Sequence, residues 1–193
     1  MKKIISTLAI AAITFTSCNN NADKKNTDAD AKIDSSTTGI HSDNMQAQKE
    51  SPIHGILTGY LQVKNALTND NGNDAADGGK AISGAMAKLD KSSLSATQAK
   101  AYNAVADDLK ENAEHINENG GKIAHQREHF EMLSQDMYDL VKSFDGTQTL
   151  YKDFCPMAND NKGAFWISET KEIKNPYLGK KMPTCGEVKE EIK

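Results

Sequence analysis

Only three cysteines, four prolines and one tryptophan occur in this chain, and aromatic residues make up 6% of its 193 positions. Several chemistries are missing outright. There is no Gly-rich phosphate loop, no HExxH and no GxSxG, and neither Cys155 nor Cys185 sits in a local nucleophile signature. A catalytic cysteine needs a base and an orienting group beside it, so an enzyme is not expected. No basic patch with interleaved aromatics appears and the net charge is -4, which argues against nucleic acid as a partner. No internal repeat is evident. The longest apolar run, Ile4 to Phe15, is too short to span a bilayer.

What that run does resemble is a signal peptide over residues 1–17, with Lys2 and Lys3 before it and small Thr16 and Ser17 after it. Cys18 then stands where the lipobox of bacterial lipoproteins places the cysteine that is lipidated and becomes the mature N-terminus. Residues 18–50 hold almost no large apolar side chains and include His41. Such a segment cannot offset the entropy of ordering itself and reads as a flexible tether. At roughly 5–6 Å times the square root of its length it gives a leash of about 30 Å. The expectation is an exported, periplasmic lipoprotein that meets the membrane through its anchor only. Export also permits a disulfide between Cys155 and Cys185.

From Ser51 to Gly146 the apolar spacing is helical. Ile53, Ile56, Leu57, Tyr60, Val63, Lys64 and Leu67 mark a first inward face, ended by "TNDNGND". A second helix, about 74–90, turns Ala75, Gly79, Ile82, Met86 and Leu89 inward, and its glycines demand tertiary support. "SSLSATQ" caps a third, with Tyr102, Val105, Leu109, Ala113 and Ile116 inward. A fourth, about 122–144, carries Ile123, Phe130, Leu133, Met137, Leu140, Val141 and Phe144. Short connections predict a mainly α, antiparallel up-and-down four-helix bundle. Residues 147–193 are expected to form an irregular cap of turns and short strands, "GAFWIS" among them, within the same domain.

Chemistry concentrates in the fourth helix and the cap. With His125 at 0° and about 100° per residue, His129 falls at about 40°, Met132 at about -20° and Asp136 at about 20°, against a core stripe at about 100°. This His/Met stripe therefore lies on the flank of the bundle, where a neighbouring segment can meet it. Two histidines at i,i+4 can share an ion, and a thioether in line with them suits Cu(I). The cap adds Cys155, Met157, Met182 and Cys185 around Pro156 and Pro183, which could supply soft ligands to the same ion. Alternatively Cys155 and Cys185 close a disulfide loop of about 31 residues, worth roughly 3–4 kcal/mol. Both readings stay open. His54, after Pro52, is a reserve ligand or a surface residue. His115 is read as solvated, and Trp166 and Tyr177 as packing residues.

"GYLQVKNALTND", "HQREHFEMLSQDMYDLVKSF", "LYKDFCPMANDNKGAFWIS" and "IKNPYLGKKMPTCGEV" together resemble the domain-of-unknown-function family 3347, over about residues 50–192. That family occurs in exported proteins of Gram-negative bacteria, alone and appended to periplasmic adaptor subunits of copper/silver-type efflux systems. The resemblance implies a helical periplasmic domain in a metal-handling setting, with copper as cofactor and an efflux adaptor or other envelope protein as partner. Cys155, Met157, Met182 and Cys185 match the family pattern; their ligand role is read from side-chain chemistry. The expected function is Cu(I) sequestration or transfer, with His129, Met132, Cys155, Met157, Met182 and Cys185 as ligands and His125 and His54 in reserve. The alternative is a non-metal envelope interaction domain stapled by Cys155–Cys185.

Overall fold

The computed structural model describes residues 50–193, apart from 145 and 147. The expected signal peptide, lipidation site Cys18 and nearly all of the tether lie outside the described residues. Four long helices come first: α1 (His54–Thr68), α2 (Gly72–Lys88), α3 (Ala96–Glu118) and α4 (Ile123–Ser143). Their starts follow from local chemistry. The Asn71 side chain accepts from the Asp74 backbone N–H at the head of α2, and Ser95 and Gln98 form a reciprocal capping box at the head of α3. Each helix packs against the next in the chain, and α1 also touches α4. Among the described residues no helix is long and apolar enough to cross a membrane.

Helix α2 is the one whose glycines weaken it intrinsically, and they are spent on proximity. A Cβ at Gly78 would lie 2.8 Å from the Val63 backbone nitrogen, and one at Gly79 would lie 2.5 Å from the Ala113 carbonyl oxygen. Glycine there lets α2 approach both α1 and α3 at backbone contact, which regains in packing what is lost in helix propensity.

The C-terminal segment is more regular than its sequence suggests. It forms a three-stranded antiparallel sheet in the order β2-β1-β3, with β1 Leu150–Cys155, β2 Ala164–Ser168 and β3 Glu187–Ile192. Cys155 pairs with Ala164 and Leu150 with Ile192, and a bulge interrupts the β1–β3 ladder at Lys152/Asp153. Between β1 and β2 the chain reverses through Asn159, Asp160 and Asn161, all with φ of 51–65°. Asn and Asp are the non-glycine residues that most readily take this left-handed conformation.

One apolar cluster joins the two parts. It runs from Ile56, Tyr60 and Leu67 through Leu109, Phe130 and Met137 to Cys155, Trp166 and Ile192. Every residue placed inward on the first, third and fourth helices is buried except Ile123, which packs at the cluster's margin. Several of the polar groups that this core encloses are paired across elements, whereas both Asp153 carboxylate oxygens and Trp166 Nε1 are not. The Ile167 backbone N–H donates to the Tyr60 hydroxyl at 2.9 Å, and the Tyr177 hydroxyl donates to the Phe165 carbonyl at 2.7 Å. Trp166 is fully buried and meets Tyr177 edge-on, so both are packing residues here.

Candidate metal centre

Helix α4 presents different residues to two neighbours. Toward α1 and the cap it sends Arg127, whose Nε donates to the Pro176 carbonyl at 2.7 Å and whose Nη2 donates to the Leu67 carbonyl at 3.0 Å and to Asp70 Oδ1 at 2.6 Å. Gly179, at φ +52°, passes so close to this pair that a side chain there would strike it. These bonds fix the rotation of α4 about its axis. With that rotation set, His125 and His129 face α3.

There they meet His115. The His115 and His129 rings stack with centroids 4.3 Å apart and planes at 9°, while His125 stands edge-on to His129 at 4.6 Å. Among the described residues these three form the one group of three or more His, Cys, Asp or Glu side chains close enough to share an ion, with ligand atoms all within 4.8 Å of one another. All three are half-buried. Each also has a polar neighbour. His129 Nδ1 donates to Asn112 Oδ1 at 3.0 Å, His125 Nδ1 lies 3.1 Å from Glu128 Oε2, and His115 Nε2 lies 3.9 Å from Glu111 Oε1.

The first two contacts matter chemically. Because an amide oxygen can only accept, His129 carries its proton on Nδ1 and leaves Nε2 as a basic lone pair. Burial, and then the adjacent His115 and His125, hold the His129 pKa below the ordinary imidazole value. That shift favours the neutral form that a metal ion requires. A groove opens beside His129, lined by Asp108, Glu111, Asn112, Met132, Gln135 and Asp136. Met132 is 47% exposed, unusual for a large apolar side chain, and reaches into that groove one turn from His129. Three imidazoles with an open side are the arrangement of an exchangeable site, since closed structural sites use four protein ligands.

The remaining expected ligands are elsewhere. Cys155 and Cys185 are joined to each other in a disulfide with Cα atoms 5.7 Å apart, so neither sulfur is free as a thiolate in this state. Met157 is exposed in a separate hollow beside Arg127, Glu131, Tyr177 and Lys181. Met182 follows a short 3-10 turn (Gly179–Lys181), its N–H donating to the Gly179 carbonyl and its carbonyl accepting from the Cys185 N–H. His54 opens α1, exposed, in grooves that contain none of the other histidines. The structure therefore corrects the placement of the neighbour that the His/Met stripe meets: it is α3, not the cap. It also places His115, whose side chain is 43% exposed, as the third member of the cluster. A sequence signal for it existed. Antiparallel helices joined by a tight turn set residues equidistant from that turn side by side. A turn centred between Gly120 and Gly121 pairs 112 with 129 and brings 115 opposite 126, between the two histidines of α4.

Residues 56–149, just under half of the chain, match the profile of a family described as a protein of unknown function (DUF3347). The match covers nearly all of the four helices and ends before β1, so the three-stranded sheet lies beyond it. No curated protein and no solved structure matches the chain.

Proposed function

We propose, for a chain whose helical segment belongs to the DUF3347 family, that it is a metal-binding module acting on copper. The helices are read as an antiparallel up-and-down four-helix bundle carrying the cap, residues 1–17 as a signal peptide and residues 18–50 as a tether lipidated at Cys18. The module then works in the periplasm at a membrane surface, taking up copper and yielding it to an efflux adaptor or another envelope protein. It binds and exchanges; it does not catalyse.

The observation that carries the metal reading is the His115/His125/His129 cluster, with ligand atoms all within 4.8 Å. Imidazole suits zinc and copper alike, and the Met132 thioether at the mouth tilts the set toward Cu(I). The assignment of ligands changes accordingly: His125, His129 and His115 form the site, Met132 is the fourth, removable ligand, and the disulfide staples the cap.

The test is a titration of the purified protein with Cu(I) against a competing chelator. One ion is expected to bind at submicromolar free copper, and His125→Ala/His129→Ala should abolish it while Cys155→Ser/Cys185→Ser leaves it intact. Failure of the parent protein to compete at all would remove the metal reading and leave the envelope interaction domain. Full binding by a variant lacking all three histidines would remove the site.

A further inference from the structure

Resting on that metal reading, we propose that Asn112 is the positioning residue of the site: it fixes the tautomer and ring plane of His129 and so sets the affinity of the cluster for its ion. Asn112 is placed on α3 one turn before His115 and is only 5% exposed. Its Oδ1 accepts from His129 Nδ1 at 3.0 Å. Asp136, two turns beyond His129 on α4, lies near the same side chain, with its Oδ2 buried and unpartnered. Since Oδ1 serves His129, the amide –NH₂ is the end turned toward that carboxylate.

The nearby carboxylate orders the amide. An asparagine rotated to offer its nitrogen to His129 would turn its carbonyl oxygen toward Asp136, acceptor against acceptor, so the opposite orientation is favoured. The oxygen stays toward the ring, the ring proton stays on Nδ1, and Nε2 stays free. Outer partners of ligating histidines act in this way, and their loss costs about 10–100-fold in metal affinity. Asn112 is otherwise hard to account for. It is a buried polar residue between Leu109 and Ile116 on the core side of a helix, at a position where alanine would pack without needing partners.

The proposal is tested on the metal-free full chain and on its copper complex. In metal-free parent protein, ¹⁵N spectra of the His129 ring should show the Nδ1–H tautomer alone. Asn112→Ala should give a mixture of tautomers and an affinity for Cu(I) about 10–100-fold weaker. The exchanged pair Asn112→Asp/Asp136→Asn keeps one acceptor facing His129 and one donor behind it, so it should restore both the tautomer and the affinity. A merely structural Asn112 would change stability and leave the ring tautomer untouched. An unchanged tautomer in Asn112→Ala, or a changed tautomer with unchanged affinity, overturns the proposal. If His129→Ala itself leaves copper binding unaltered, the metal reading falls and the affinity half of the proposal falls with it. The tautomer result then shows separately that Asn112 orients the ring.

Discussion

Replacing Asp153 by asparagine should stabilise the protein, and by more at alkaline than at acid pH. Asp153 lies on β1, fully buried, opposite Trp166 on one neighbouring strand and Val188 on the other. Neither carboxylate oxygen finds a partner within ordinary hydrogen-bond geometry. The nearby cation, Lys64, is itself buried and committed to Glu169 at 2.6 Å, with Asn65 holding the other oxygen of that carboxylate at 2.9 Å. Burial therefore dominates and pushes the Asp153 pKa from 3.8 up to about 7, with the Lys64 charge and a weak Trp166 contact offsetting only part of the rise. A raised native pKa means that the native state holds a proton the unfolded chain has already released. Stability from this residue is whole below about pH 4, falls as pH rises, and levels off above about pH 7. At about 1.4 kcal/mol per unit, the penalty grows by about 2–3 kcal/mol between pH 5 and pH 8. Carboxylates held low, such as Asp70 against Arg127 and Glu190 against Lys142, run in the opposite direction. They are common to both proteins and cancel in the difference. Urea denaturation of parent and Asp153→Asn across this range measures the difference directly. An advantage for the variant that stays flat with pH, or that grows toward acid, would refute the reasoning.

Two further outcomes are expected. Reducing the Cys155–Cys185 bond, which spans 30 residues, should lower stability by about 3–4 kcal/mol in a chain-entropy account, read as the shift in urea midpoint with and without reductant. Arg127→Met keeps the aliphatic stem but orphans the Pro176 carbonyl, and it leaves the Leu67 carbonyl and the Asp70 carboxylate with only the Asp70 and Lys180 backbone N–H groups. It should cost about 2–4 kcal/mol and speed amide hydrogen exchange across residues 176–181, with little change elsewhere.

The sequence disclosed the helices and their inward faces because burial there is periodic: Tyr60, Val63 and Leu67, or Phe130, Leu133 and Met137, repeat at the helical spacing. It disclosed β2 but not β1 or β3, for two different reasons. β1 mixes Lys152 and Asp153 into its run, and Asp153 is buried through a bulge that no periodicity shows. β3 is an edge strand with four charged residues in six, held by the ladder and by ion pairs such as Lys171–Glu191 rather than by an apolar face. For the site, the phase of His125, His129 and Met132 along α4 was readable. The helix they turn toward was legible only through the register of the α3–α4 turn, and the rotation that aims them at it is set by Arg127 contacts with residues about 50 and 60 positions away. Lys64 is similar: its place on the inward face was visible, but its partner Glu169 stands 105 residues later.

The three imidazoles sit on a single helical hairpin and fall within one stretch of chain, residues 115–129, with the orienting amide three residues earlier. A ligand set drawn from the cap would have tied the centre to the completed tertiary fold. One drawn from two adjacent helices and a tight turn is nearly self-contained: the hairpin carries every ligand, and the rest of the fold reaches it through the Arg127 contacts that hold the rotation of α4. A designer lifting α3 and α4 into another helical scaffold would have to supply that one clamp anew.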